Sequence, residues 1–305
     1  MRINSGNIVI PIEPVQWKSL TQKGIRLFIA RFDQCHPVVS GNKIFKLQPF
    51  FDEALRTKCG HVISFGGAFS NHLIAMAFAC MENNLMATGI IRGEKSLPLN
   101  KTLQQCKEYG MQLEFVSREE YANLKSFTSN GWFREKFGEH VMIPEGGYHP
   151  SGATGAVAMY KSISSHAFTD IVLPIGTATT LAGFLMADGG KHRIHGISCL
   201  KGLNDIEERL EFLTGKKQHD NLSVIQNYHF GGFAKHDSAL IDFMNQFHEL
   251  TGIETDFVYT GKMLFGILDM ISHDYFQPGS EIICIHTGGL QGNHSISNRL
   301  RFPMP

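Results

Sequence analysis

Three short stretches hold residues whose types and spacing can do chemistry. In Ser40-Gly41-Asn42-Lys43-Ile44-Phe45-Lys46-Leu47 a lysine follows Gly-Asn at the expected start of a helix. A lysine attacks carbonyl groups only when part of its population is neutral, a state favoured by burial or a nearby cation. Lys46, three residues on, could supply that cation. Both lysines equally fit solvated surface positions. In Gly66-Gly67-Ala68-Phe69-Ser70-Asn71-His72, glycines end a strand and Ser-Asn-His opens a helix. Backbone N–H groups of Ser70, Asn71 and His72 would form a carboxylate site there. The Ser70 hydroxyl could also move a proton, although Ser70 or Asn71 as a plain helix cap is the simpler alternative. In Gly176-Thr177-Ala178-Thr179-Thr180, a turn joins an apolar strand to an apolar helix. Its N–H groups and hydroxyls can hold a phosphate dianion, or the segment can be an ordinary turn with a threonine cap. It is not G-x-x-x-x-G-K-S/T, and no G-x-G-x-x-G follows the first strand, which weighs against both nucleotide loops.

The elements that must position these stretches alternate. Apolar runs at 25–32, 61–65, 87–92, 111–116, 141–143, 170–174, 193–198, 222–226 and 281–286 read as strands. Helical patterns occupy 45–56, 71–81, 100–109, 118–124, 151–164, 180–187, 205–213, 238–250 and 262–271, with Asn100 placed to cap its helix. Pro49 means that the first of these helices either begins near Gln48 or begins earlier and bends. The alternation predicts an α/β fold with parallel sheets covered on both faces. The Gly- and Ser/Thr-rich segments follow strands, so they are expected to converge at the carboxyl ends of the sheets.

Composition narrows the class. The 305 residues are 43% hydrophobic and 18% charged, enough for two domains or one large one. Lys+Arg and Asp+Glu both number 28, so no basic excess points to nucleic acid. The 15 histidines are scattered without zinc spacing, and no metal is expected. Six cysteines form no C-x-x-C, which suggests a reduced, cytoplasmic protein. No basic leader precedes an apolar run, and no run is long enough to span a bilayer, so neither a signal peptide nor membrane contact is expected.

Five motifs share an order and spacing. They are Ser40-Gly41-Asn42-Lys43-x-x-Lys46-Leu47, Gly66-Gly67-x-x-Ser70-Asn71-His72, Pro144-Glu145-Gly146-Gly147, Val258-Tyr259-Thr260-Gly261-Lys262 and His286-Thr287-Gly288-Gly289. Over nearly the whole chain this resembles the 1-aminocyclopropane-1-carboxylate deaminase / D-cysteine desulfhydrase family. The resemblance implies the tryptophan synthase β-like fold (fold type II), with two domains, each a mainly parallel open sheet covered by helices. Residues 1–45 and 155–305 would form the larger domain, and 46–154 a smaller inserted one. It implies pyridoxal 5'-phosphate as cofactor, a small amino acid as substrate and a homodimer. Lys43 would carry the cofactor as a Schiff base, and Asn71 would meet its ring hydroxyl. Gly176, Thr177, Ala178, Thr179 and Thr180 would cup its phosphate. Ser70, with the N–H groups of Asn71 and His72, would hold the substrate carboxylate. Tyr259 would lie over the cofactor, and Thr260 and Thr287 near its ring nitrogen.

Two departures bear on the reaction. Deaminases of the family carry glutamate after the tyrosine, where this chain has Thr260. Most members carry glutamine where this chain has Phe69. A hydroxyl near the ring nitrogen makes a weaker electron sink than a carboxylate does. The expectation is therefore β-elimination to a 2-oxo acid and ammonia. Lys43 would take the Cα proton, and Ser70 or Tyr259 would assist the leaving group. Cyclopropane ring opening, a cofactor-binding protein with little catalysis, and a nucleotide- or sugar-phosphate-binding protein are the alternatives. Tyr148, His149 and His294 are further candidates for lining the pocket, and each also fits a structural role.

Overall fold

Short runs of branched apolar residues, several of them bounded by glycine, build ten strands among the described residues. The computed structural model describes residues 8–95, 97–126 and 131–303. In chain order the strands are β1 (Ile12–Pro14), β2 (Arg26–Ala30), β3 (His61–Gly66), β4 (Met86–Arg92), β5 (Gln112–Val116), β6 (Val141–Ile143), β7 (Asp170–Ile175), β8 (Arg193–Ser198), β9 (Leu222–Ile225) and β10 (Glu281–Ile285). The helices are α1 (Lys18–Lys23), α2 (Asn42–Thr57), α3 (Asn71–Glu82), α4 (Lys101–Glu108), α5 (Arg118–Ser126), α6 (Gly131–Phe137), α7 (Pro150–Ile163), α8 (Thr179–Asp188), α9 (Ile206–Thr214), α10 (Ser238–Thr251) and α11 (Thr260–Ser272).

Six strands form one sheet in the order β1-β2-β10-β7-β8-β9, and four form a second in the order β5-β4-β3-β6. Among the described residues only the β1–β2 pair is antiparallel. Every residue of β3 and of β7 is buried, as expected of parallel strands covered on both faces. Alternation along β10 divides the interior. Ile283 and Ile285 join one apolar cluster, while Ile282 and Cys284 join another on the opposite face.

Strand order reverses once in each sheet. In the larger sheet β7 has β8 on one side and β10 on the other, and in the smaller sheet β3 stands between β4 and β6. Ligand crevices of open α/β sheets lie at such reversals, beyond the carboxyl ends of the strands. The chain there is the 176–180 turn after β7, 286–289 after β10, 66–70 after β3 and 144–147 after β6. The motifs therefore converge, as the alternation implied.

Three elements, β1, α1 and α6, have no counterpart in the sequence reading. They span three, six and seven residues, too few for a periodic pattern to emerge. Helix α2 begins at Asn42, ahead of the 45–56 expected, and runs through Pro49. A proline cannot donate to the carbonyl four residues back, so the Phe45 carbonyl has no helical partner. That oxygen meets α7 instead, where a Cβ on Gly155 would lie only 2.2 Å from it. The divisions expected at 45/46 and 154/155 thus fall within two helices in close contact.

Candidate active site

Lys43 occupies the first turn of α2 because of the residues around it. Gly41 has φ +67° and ψ −144°, and a Cβ there would sit 1.9 Å from the Thr287 carbonyl oxygen. Only glycine lets the two backbones approach so closely. The Asn42 N–H then donates to the Thr287 carbonyl at 3.2 Å. Asn42 is buried, and its side chain faces both ways: Nδ2 donates to Thr180 Oγ1 at 2.9 Å, and Oδ1 accepts from Lys43 Nζ at 2.5 Å. One asparagine thus ties the lysine to the 176–180 turn. Burial pulls the Lys43 amine down to about 8, partly opposed by the charge of Asp256. Lys46 is buried and makes no ion pair among the described residues, and burial followed by the charge of Lys43 pushes its amine well down.

The 176–180 turn opens α8. Ala178 is its N-cap with φ +66°, a left-handed conformation that costs a non-glycine residue about 1–2 kcal/mol. Thr177 Oγ1 lies 2.9 Å from Thr179 Oγ1, and Arg209 donates to the Gly176 carbonyl at 3.0 Å. Thr179 and Thr180 are buried. The Tyr259 ring covers Gly176, where a Cβ would lie 2.9 Å from Cε1.

At the start of α3, Ser70 Oγ accepts from the Leu73 N–H at 3.3 Å. The cap reading therefore holds, and the hydroxyl keeps its own proton to donate. The N–H groups of Asn71 and His72 precede the first helical bonds and have no partner within the helix. Asn71 Nδ2 donates to the Gly289 carbonyl at 3.1 Å, and its Oδ1 is buried without a partner. The His72 imidazole is fixed in one tautomer. Ser64 Oγ donates to the Ile143 carbonyl at 2.7 Å, so it must accept from His72 Nε2, 2.8 Å away. Nδ1 is left as a buried lone pair, and burial beside Lys43 and Lys46 lowers the ring to about 3. Only the backbone of His72, not its side chain, can donate to a carboxylate.

Asp256 is the residue that sequence reasoning missed. It is fully buried, and its two oxygens accept four hydrogen bonds. Oδ1 receives the N–H groups of Val258 and Tyr259 at 2.9 and 2.7 Å. Oδ2 receives the N–H and Oγ1 of Thr260 at 2.9 and 2.7 Å. The Thr260 hydroxyl also accepts from the Asp256 N–H at 2.9 Å, so this fully buried threonine is committed at both ends. The Thr287 hydroxyl makes no hydrogen bond among the described residues. The only available signal was an acidic residue in an otherwise apolar stretch, Asp256-Phe257-Val258-Tyr259. The Tyr259 phenol is pushed up by burial, then by Cys199, Asp256 and Glu145. His149 caps α7 by accepting from the Ser151 N–H, and Tyr148 packs on Phe212. Both fill the structural roles considered for them. His294 lines, with Phe69, a cavity beside the start of α3.

The assembly is a nucleophilic amine, a phosphate-sized turn at a helix start and a second helix start open to a carboxylate. Comparison with known proteins accords with that chemistry. The family model described as pyridoxal-phosphate dependent enzyme matches residues 6–288. A protein of Thermotoga maritima named putative 1-aminocyclopropane-1-carboxylate deaminase is 30% identical, covering 94% of this chain and 96% of its own. An Arabidopsis thaliana protein, bifunctional D-cysteine desulfhydrase/1-aminocyclopropane-1-carboxylate deaminase, is 29% identical over 88% of this chain and 73% of its own. Among solved structures, one described as an ACC deaminase homologue superposes with a TM-score of 0.81 at 25% identity, covering 96% of this chain and 94% of that one. An O-ureido-L-serine synthase, at 13% identity and a TM-score of 0.68 over 94% of this chain and 92% of its own, shares the fold.

Proposed function

Since the chain belongs to the family of pyridoxal-phosphate-dependent enzymes that includes 1-aminocyclopropane-1-carboxylate deaminase and D-cysteine desulfhydrase, we propose that it is a lyase removing the Cα proton and a β-substituent from a small amino acid. The products are a 2-oxo acid and ammonia. The observation that carries this reading is the Lys43 amine, lowered by burial and flanked by the 176–180 turn and the start of α3.

Pyridoxal phosphate supplies an electron sink for the charge left at Cα when the proton departs. The residues present fit it. Lys43 would hold it through its amine. The 176–180 turn would hold its phosphate at the start of α8, and that dianion would oppose the burial that pushes the Lys46 amine down, favouring its charged form. The orphaned Asn71 Oδ1 would accept from its ring hydroxyl. Of the two candidate threonines, Thr287 has the uncommitted hydroxyl and would meet the ring nitrogen, while Thr260 serves Asp256.

Lys43 Nζ, once free, takes the Cα proton, and the face it occupies selects the enantiomer. The N–H groups of Asn71 and His72, with Ser70 Oγ, orient the substrate carboxylate. Tyr259 keeps its phenolic proton to well above neutral pH, so it can donate to the leaving group; Ser70 is the alternative donor. No carboxylate stands at position 260, and the nearby Asp256 is saturated with donors, which favours elimination. The name of the Thermotoga maritima relative supports a second reading, opening of the 1-aminocyclopropane-1-carboxylate ring.

The same proposal includes two units, 1–45 with 155–305 and 46–154. It is supported by the four-stranded sheet lying wholly within the inserted stretch. It also includes a reduced cytoplasmic setting, supported by six unpaired thiols, and the homodimer of the family. The test is 2-oxo acid release from a panel of D- and L-amino acids and from 1-aminocyclopropane-1-carboxylate, with Lys43→Ala as control. Visible cofactor absorbance and turnover should both vanish in the variant. Retention of both would remove Lys43 from the centre of the site. Release from the cyclopropane substrate alone would favour the second reading.

A further inference from the structure

A cavity of about 270 Å3 opens beside the start of α3, lined by Phe69, Asn100, Lys101, Thr102, His294 and Ser297. Hydrogen bonds attach its walls to the proposed site. Asn100 Nδ2 donates to the Ala68 carbonyl at 2.9 Å, which joins the start of α4 to the 66–70 loop. His294 lies a few residues beyond Gly289, whose carbonyl receives Asn71 Nδ2. Phe69 precedes Ser70 directly, so one wall of the cavity adjoins the loop to which the substrate carboxylate is assigned.

Its lining has a defined chemistry. Phe69 is 51% exposed and makes no ring contact among the described residues, so this phenyl is presented to the cavity and not packed in a core. Lys101 is a cation, and among the described residues no carboxylate lines the cavity with it. Burial, then the charge of Lys101, lower the His294 ring, which disfavours a second charge there. Asn100 Oδ1 is occupied by the Leu103 N–H at 2.9 Å, and the Ser297 hydroxyl adds a donor. An apolar wall, one cation without an ion pair among the described residues and a hydroxyl match a short apolar stem that ends in an anion.

We propose that this cavity receives the β-substituent of the substrate and that the substituent ends in a carboxylate or sulfonate. The assignment rests on the lyase reading above. In the reaction, Lys43 takes the Cα proton and the Cβ–X bond breaks with its electron pair on X. X departs into the cavity, with a proton from Tyr259 or Ser70 where it needs one, and water completes the 2-oxo acid and ammonia. The glutamine usual in the family at position 69 would make the wall polar; Phe69 leaves charge selection to Lys101.

The test compares S-carboxymethyl-cysteine, S-(2-sulfoethyl)-cysteine and neutral S-ethyl-cysteine, each in both enantiomers. The readouts are kcat/KM for pyruvate release and calorimetric binding to the cofactor-loaded protein. An anionic tip should be preferred roughly three- to tenfold, the scale of one partly exposed ion pair. Added salt should erode that preference. In Lys101→Met the anionic-to-neutral ratio should fall to about one. The two anionic arms decide which acid is read. A wild-type ratio near one, or a ratio unchanged by Lys101→Met, overturns the assignment. If nothing is turned over but anionic binding still depends on Lys101, the lyase reading falls and what stands is an anion site in the cavity. If the anionic probes do not bind at all, the cavity assignment falls.

Discussion

Gly41→Ala is the sharpest perturbation of the lysine turn, because its effect separates into two measurable parts. Gly41 has φ +67° and ψ −144°, a region open essentially only to glycine, which costs another residue about 1–3 kcal/mol. The new Cβ would also lie 1.9 Å from the Thr287 oxygen, 2.3 Å from its carbonyl carbon and 2.7 Å from the Gly288 nitrogen. These are backbone atoms and cannot rotate away, so the two loops must separate. Separation breaks the Asn42 N–H bond to Thr287 and strains the Gly41 N–H bond to Phe32, each worth about 1 kcal/mol. The expected total is about 3–5 kcal/mol, a large part of the roughly 5–15 kcal/mol that holds a typical protein folded. Gly24→Ala is the matched control. Gly24 has φ +63°, but the nearest atom to its added Cβ is Pro278 Cβ at 3.9 Å. It should cost only the left-handed strain, about 1–2 kcal/mol. Urea denaturation of both cofactor-free variants gives the difference, and visible absorbance after cofactor addition reports whether Lys43 is still placed. If Gly41→Ala falls within about 1 kcal/mol of Gly24→Ala and still takes up the cofactor, then backbone contact does not position Lys43.

Three further outcomes are expected. The Lys43 amine is lowered from 10.5 to about 8, so cofactor uptake by the cofactor-free protein should accelerate as pH rises through about 8 and then level off. Because the folded state holds this proton less tightly than the unfolded chain, stability should also rise with pH between those two values; a flat urea midpoint across that window would count against a buried Lys43. Asp256→Asn places an amide donor against two of four buried donors, so it should cost about 2–4 kcal/mol and move the uptake midpoint to still lower pH. An unmoved midpoint would show that Asp256 does not act on Lys43. Lys46→Met should leave the cofactor-free protein as stable or more so, while weakening cofactor binding at least about tenfold. Loss of stability without cofactor would refute the phosphate assignment.

The strand–helix alternation and the convergence of the motifs were legible because runs such as Val62-Ile63-Ser64-Phe65 carry their period in a few residues. The arrangement of strands was not, since β2 and β10 are neighbours separated by most of the chain. Lys43 was visible through Gly41, a residue type that announces unusual backbone. Asp256 was not, because its importance lies in four hydrogen bonds made after the chain has turned on itself. Thr260 shows the same limit from the other side. Its place beside Tyr259 suggested a part in ligand binding, but the structure commits its hydroxyl to a carboxylate four residues earlier. The start of α2 fits one of the two readings left open, a helix that begins well before Pro49; local sequence could not choose between them, because the contact that accommodates the proline lies in α7.

That contact leaves position 155 no room for a side chain. An alanine there would meet the Phe45 carbonyl oxygen at 2.2 Å and Pro49 Cδ at 3.1 Å. Replacing Pro49 would remove the second contact and leave the first, which is to backbone, so glycine is required at 155 whichever residue stands at 49. A lineage drifting from this sequence should therefore vary at 49 while 155 stays glycine, and the helix that bears Lys43 keeps its close seat on α7 throughout.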